Sequence, residues 1–173
     1  MGAKPKTSNT LKEIPFVPTP YPVVEKMLQL AAVKPDEVVY DLGAGDGRII
    51  FTAVNKFSAK GVAVELDPWR CSLIREKVIR LGLKERIEVR QEDFFQTRLR
   101  GADVVTLYLL PEANRLLSKK LLEELPRGAR VVAHDYPVPG WRPLEVLHVK
   151  CDGKIHTLYL YQPKLIKRLN GLC

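Results

Sequence analysis

The run "VVYDLGAGDGRII", residues 38–50, limits the possible folds more than any other stretch of this chain. It opens with an apolar run of strand length that ends at Leu42. Three glycines follow at alternate positions, Gly43, Gly45 and Gly47, and a helical pattern begins at Ile49 and Ile50. Glycine is needed where a chain turns tightly and where backbone must touch a ligand with no Cβ between them. A strand, a glycine loop and a helix in immediate succession make the first half of a βαβ unit. Such a unit sets its ligand at the carboxyl edge of a parallel sheet, over the helix N-terminus.

The rest of the chain repeats this alternation. Val23, Met27, Leu30 and Ala31 fall at helical spacing from Pro22 and stop near "VKPDE". After the glycine loop, Ile49, Ile50, Ala53, Val54 and Phe57 mark a helix face, and "GVAVEL" is a second strand. Trp69, Leu73, Ile74, Val78 and Leu81 line the next helix. "RIEVRQ" and "ADVVTLYL" are the third and fourth strands, Leu117, Leu121 and Leu125 stripe a long helix, and "ARVVAHD" is the fifth strand. The ending differs, because "LEVLHVK" and "KIHTLYLY" flank a tight Asp-Gly turn and form a hairpin. Alternating units predict an α/β fold, a doubly wound, mostly parallel seven-stranded sheet of Rossmann-like form with an antiparallel C-terminal hairpin.

At 173 residues, the chain fits one domain able to bury a core without metal or disulfides. Residues 1–13 read as a flexible basic arm, 14–162 as a single domain with a proline-rich segment at 14–22, and 163–173 as a basic tail. Cys71, Cys151 and Cys173 are odd in number and have no metal-ligand spacing, so no metal site is expected. No apolar run has the length of a membrane span, no signal-peptide core is present, and Lys6 stands where a myristoylation signal needs Ser or Thr. These absences lead us to expect a cytoplasmic protein, and we expect a monomer. Asn and Gln are scarce beside Lys, Arg and Glu, the bias of a thermophilic source. The net charge of +8 favours encounter with nucleic acid or acidic surfaces, but its basic residues are spread along the chain.

The loop's neighbours indicate the ligand. Its spacing is GxGxG, not the GxGxxG of dinucleotide binders, and three carboxylates surround it: Asp41, Asp46 and Glu65. Acids are unwelcome beside a pyrophosphate but suit a ligand that offers a cation, an ammonium and ribose hydroxyls. S-adenosylmethionine offers all three, and S-adenosylhomocysteine would be the product. Glu65 lies about twenty residues past the glycines, the spacing at which an acid reaches a ribose diol. In "EDFF", after the third strand, Asp93 is placed to accept from the adenine amino group while Phe94 packs on the ring. The donor set is thus Asp41, Gly43, Ala44, Gly45, Asp46, Gly47, Glu65, Leu66, Asp93 and Phe94, joined by Pro18 and Thr19 from upstream. Helix capping is the plain alternative for Asp41 and Asp46, and a surface ion pair for Glu65.

Together with "PFVPTP" (15–20), "VVTLYLL…N" and "VVAHDYPVPGW", the loop "DLGAGDGR" resembles the archaeal seven-strand (non-SET) protein lysine methyltransferases, from about residue 14 to 162. The resemblance implies the class I methyltransferase fold, S-adenosylmethionine as donor, and lysine ε-amines of proteins as acceptors with loose sequence preference, basic chromatin proteins among them. The proline segment then becomes a lid. Proline fixes φ and restricts its predecessor, so "PFVPTP" holds an extended backbone at low entropic cost. Folded across the donor pocket, it would offer Phe16 as an aromatic wall and Thr19 as a hydroxyl near the methionine moiety.

A lysine amine of pKa about 10.4 is neutral only about once in a few thousand molecules at pH 7. An apolar channel raises that fraction by desolvating the ammonium, and Tyr108 and Phe16 are the expected walls. Phe16, Thr19 and Tyr108 are therefore the catalytic candidates. His134 and Asp135, ending the fifth strand, could act as base and orienter, although the chemistry does not demand a base. Trp141 reads as a packing anchor, and His148 and His156 receive no chemistry. Glu112 is an acidic residue expected near the acceptor channel, where it would temper repulsion of a lysine-rich substrate. The rival readings are a nucleic-acid methyltransferase using the same donor site and a non-catalytic binding module. "LYLLPE" lacks the Asn/Asp-Pro-Pro-aromatic motif of enzymes acting on base amines and amides, while the basic charge keeps nucleic acid open as a partner.

Overall fold

The computed structural model describes residues 16–169. The expected arm at 1–13 and Pro15 lie outside the described residues. A seven-stranded sheet is ordered β3-β2-β1-β4-β5-β7-β6. Its strands are β1 (Val38–Leu42), β2 (Lys60–Glu65), β3 (Ile87–Gln91), β4 (Val104–Leu107), β5 (Arg130–His134), β6 (Glu145–Cys151) and β7 (Lys154–Tyr161). The helices are α1 (Tyr21–Leu30), α2 (Arg48–Phe57), α3 (Pro68–Arg80), α4 (Pro111–Glu124) and α5 (Pro163–Leu169). The first five strands pair in parallel, and β7 runs antiparallel to both β5 and β6. This is the doubly wound sheet that the alternation predicts.

Period-two alternation divides the core between two faces. Val39, Ala63, Val104, Val132 and Leu158 pack with Met27 of α1, Ile50 of α2 and Ile74 of α3. Their neighbours Tyr40, Val62, Val105, Val131 and Tyr161 pack with Leu117 and Leu121 of α4 and Ile166 of α5. Strand order reverses between β1 and β4, and a crevice at the carboxyl ends there is where an α/β sheet takes a ligand. Trp141 is buried, edge-on to Tyr161, as the packing anchor expected. Asp152 and Gly153 both have positive φ, 49° and 76°, so the β6–β7 hairpin turns by the two-residue route that Asp-Gly favours.

Three local readings are corrected. On α3 the buried stripe is Cys71, Ile74 and Val78, while Trp69, Leu73 and Leu81 are exposed. Spacing along the chain could not tell that only a narrow stripe of this helix meets the sheet. β4 ends at Leu107, so Tyr108, Leu109 and Leu110 leave the ladder and lie at the crevice edge. Residues read as a basic tail form α5 at Pro163–Leu169, because Ile166 finds a place in the core. Among the described residues, no helix is long and apolar enough to cross a membrane.

Candidate active site

The glycine loop runs directly from β1 into α2. The N–H groups of Gly43 and Ala44 both donate to the Val64 carbonyl at 2.9 Å, binding the loop to β2. Gly47 is the N-cap of α2 with φ 76°, a left-handed conformation that explains glycine there. Gly45, φ 58°, donates its N–H to Glu65 Oε2 at 2.8 Å. Glu65 Oε1 accepts from Leu66 N at 2.9 Å and Asp67 N at 3.0 Å. The surface ion pair weighed for Glu65 is thus replaced by a buried carboxylate held by three backbone donors, with Arg70 at 3.9 Å. It spans the ends of β1 and β2.

Asp41 is fully enclosed, and its Oδ1 accepts from Thr106 Oγ1 at 2.8 Å. It caps no helix. Burial pushes its carboxyl up to about 7; the Thr106 bond opposes this, and Glu65 and Asp46 add repulsion. Asp46 takes a bidentate hold on Arg48, with Nη2 at 2.6 Å and Nε at 3.0 Å, and also accepts from Arg48 N. Burial raises the Asp46 carboxyl, but the Arg48 bonds outweigh it and leave it below the usual range. Three acids around one loop, the most buried of them driven toward neutrality, form a site short of positive charge. A sulfonium or ammonium group suits that deficit, so the residues present fit S-adenosylmethionine.

The other donor candidates are placed at successive strand ends. Leu66, 54% exposed, follows β2. After β3, Asp93 Oδ1 accepts from Phe95 N at 2.9 Å, bracing a turn beside half-buried Phe94. Phe94 meets Phe95 with ring centroids 4.6 Å apart.

The proline segment lies on the loop. A Cβ built on Gly45 would stand 2.1 Å from Phe16 Cε2, so the Phe16 ring rests directly on the glycine. The Arg70 guanidinium covers that ring at 4.9 Å. Pro18 is exposed, whereas Thr19 is buried. The Thr19 carbonyl accepts from Arg48 Nη1 at 2.9 Å, and its hydroxyl lies 3.1 Å from His134 Nδ1. Pro20 caps α1 and receives the N–H bonds of Val23 and Val24. Phe16 and Tyr108, expected as channel walls, meet different partners. Phe16 touches Gly45 and Arg70, while the Tyr108 ring lies 3.9 Å from His134. Leu109, just past Tyr108, leans on the loop, with its Cδ2 3.2 Å from a Cβ built on Gly43.

Two groupings were not visible in the sequence reading. Arg48 joins loop and flap by holding both Asp46 and Thr19, and only its place at the start of α2 could have suggested this. His156, which received no role, lies with its Nδ1 2.9 Å from His134 Nε2. Asp135 Oδ2 is 3.3 Å and 3.6 Å from those same nitrogens. The ligating atoms of His134, Asp135 and His156 all lie within 4.8 Å of one another, a spacing that could hold a metal ion. The antiparallel return of β7 brings residue 156 to 134, a contact no local spacing reveals. Glu112, expected near the acceptor channel, is exposed and paired with Arg115 on α4.

Comparison with known proteins agrees with this geometry. The ANTKMT methyltransferase domain family model matches residues 41–145. The chain is 42% identical to a protein-lysine N-methyltransferase of Saccharolobus islandicus, over 86% of this chain and 92% of that protein. It is 36% identical to the adenine nucleotide translocase lysine N-methyltransferase of Mus musculus, over 78% of this chain and 58% of the relative. An RNA methyltransferase from Salinibacter ruber, solved in complex with S-adenosyl-L-homocysteine, shares 42% identity with a TM-score of 0.78. That similarity covers 84% of this chain and 93% of the other. A glycine loop ringed by acids at the switch point of a seven-stranded sheet, matched along most of its length, leads to one conclusion: the chain belongs to the ANTKMT methyltransferase domain family of seven-strand protein-lysine methyltransferases, class I enzymes whose methyl donor is S-adenosylmethionine.

Proposed function

We propose that this chain methylates lysine ε-amines of proteins with broad specificity, acting on exposed lysines of several partners, basic chromatin proteins among them. The observation that carries the acceptor class is the segment leaving β4. Tyr108-Leu109-Leu110-Pro111 is mostly apolar, lacks the Asn/Asp-Pro-Pro-aromatic motif that grips a planar amide, and lies against the glycine loop through Leu109. Two lysine methyltransferases stand among its relatives.

In this reading Asp41, Asp46 and the Gly43–Gly47 backbone hold the charged part of the donor, and Glu65 with Leu66 its ribose. Asp93 and Phe94 hold its adenine. When bound, S-adenosylmethionine supplies the electrophilic methyl group. The chain's own work is to close, to dehydrate and to align. Pro18 and Thr19 belong to a lid that closes over the donor, and the support is the packing of Phe16 on Gly45 with the Arg48 and His134 bonds to Thr19. Tyr108 attracts the ammonium by its ring face and then excludes water, which favours the neutral amine. Alignment of its lone pair with the methyl provides much of the acceleration. We also retain a cytoplasmic monomer as part of this reading.

A second reading has its own support. The Salinibacter ruber relative is described as an RNA methyltransferase, and the +8 charge favours phosphate contact. One assay separates the two: labelled donor offered to basic chromatin proteins, cell lysate and total RNA in parallel. Label on protein lysines is expected. Label on RNA alone would overturn the lysine acceptor, and no label anywhere would favour a donor-binding module.

A further inference from the structure

Methylating a protonated lysine releases one proton. The nitrogen exchanges an N–H bond for an N–CH3 bond, the carbon–sulfur bond breaks with its electron pair staying on sulfur, and the proton must leave. A flap closed over the donor would exclude water, so a path built from side chains has a task to perform. We propose that the Thr19 hydroxyl, His134 and His156 form a hydrogen-bonded relay that carries this proton from the acceptor amine to the surface of the C-terminal hairpin.

The directions of the bonds fit that use. Asp135 Oδ2 stands 3.3 Å from His134 Nε2 and 3.6 Å from His156 Nδ1, so the hydrogen between the two rings lies beside a carboxylate, and we place it on His134 Nε2, the nearer nitrogen. His134 Nδ1 is then a lone pair, and Thr19 Oγ1, 3.1 Å away, is the donor to it. His134 Nε2–H in turn donates to His156 Nδ1 at 2.9 Å, leaving the hydrogen of His156 on Nε2. Every link donates outward. A proton passed to Thr19 moves the Thr19 hydrogen to His134 Nδ1, the His134 Nε2 hydrogen to His156 Nδ1, and the His156 Nε2 hydrogen to water.

Burial follows the same direction. Thr19 and His134 are enclosed and His134 is 0% exposed, while His156 reaches 9% on β7. The groups against the two rings come from different elements: Thr19 on the flap, Tyr108 after β4, Asp135 after β5, and the rings' own contact across β5 and β7. Tyr108 is the aromatic wall proposed for the acceptor, and its ring lies 3.9 Å from the His134 ring. That wall thus lies against His134, the member that receives the Thr19 hydrogen. Asp135 is fixed in turn by Thr157 N, which donates to its Oδ1 at 2.9 Å.

This inference rests on the lysine reading, and the experiment keeps the two apart. Turnover of a lysine peptide is followed from pH 7 to pH 10 for wild type, His156→Gln and Thr19→Val. Folding is confirmed by thermal midpoint and donor binding by calorimetry. Both variants are expected to lose about tenfold in kcat at pH 7.5 and to regain most of it by pH 10, where the amine deprotonates in solution. A loss that stays the same at every pH, or no loss, would overturn the relay. Wild type without lysine turnover at any pH would instead strike the acceptor reading, and the relay with it. Nitrogen-15 spectra of labelled histidine give a readout independent of turnover: both His134 and His156 should be Nε2–H tautomers. An Nδ1–H on either ring reverses a link and refutes the path.

Discussion

Replacing Asp41 by Asn tests the claim that the donor site is built short of positive charge. Burial moves the Asp41 carboxyl from its ordinary 3.8 to about 7; the Thr106 bond opposes the rise, and repulsion from Glu65 and Asp46 adds to it. The folded chain therefore keeps a proton between these values that the unfolded chain has lost. Stability is highest below about 3.8, falls as pH rises through the window, and is level above about 7. Ionised Asp41 destabilises the fold by roughly 4 kcal/mol at pH 8, most of it acquired above pH 5. Asn keeps the oxygen that accepts from Thr106 and has no proton to lose. Its unpartnered amide costs about 1–3 kcal/mol, but that cost does not change with pH. The stability of Asp41→Asn relative to wild type should therefore fall by about 2.5 kcal/mol between pH 8 and pH 5. Urea unfolding of the donor-free protein at both pH values reads this difference directly. Binding supplies a second arm. A cation beside Asp41 lets it ionise, so near pH 6.5 wild type should release a proton on binding S-adenosylmethionine, and Asp41→Asn should not. Calorimetry in two buffers of different ionisation enthalpy shows it. A difference constant to within about 0.5 kcal/mol between the two pH values would refute the reasoning.

Other perturbations have equally definite outcomes. Glu65→Gln turns an amide NH2 toward one of three backbone donors and should cost about 1–3 kcal/mol of stability. The same change should weaken donor binding at least tenfold by calorimetry; unchanged affinity would remove Glu65 from the ribose site. Gly45→Ala forces a left-handed alanine, worth about 1–2 kcal/mol, and drives its Cβ into Phe16. Hydrogen exchange at Val17 and Thr19 should rise with that substitution, and unaltered protection would show that the flap does not depend on this contact. Deleting residues 1–20 should abolish methyl transfer while the sheet still folds, and full turnover would rule out the lid.

Much of this site is legible in a single sequence because its parts repeat with the fold. A proposed donor contact follows each of β1, β2 and β3, so each acid or aromatic could be located by finding the end of an apolar run. Glu65 lies one βα unit past the glycines, Asp93 and Phe94 one unit farther, and all came within reach of spacing. The flap was legible for a different reason. Proline restricts the backbone locally, so three prolines in six residues predict an extended segment before any packing is known. What spacing could not foresee was the partner of each side chain. Phe16, expected as a channel wall, lies on Gly45 beneath Arg70, and Thr19 of the same segment is held by Arg48, a residue with no motif of its own. Leu73 and Leu81 of α3 were expected in the core and are exposed, because the width of a buried stripe depends on how a helix meets the sheet.

The sequence by itself determined the class of fold, the donor and the family, since glycine conformation, strand period and the register of acids at strand ends are local properties. The tertiary structure alone decided the environment: that Asp41 is held near neutral, that Glu65 is bound by three N–H groups, and that His156 comes back 22 residues later to meet His134. Those facts depend on burial and on an antiparallel return across the sheet. Both are set by contacts between residues far apart in the chain, and no pattern of neighbours encodes them.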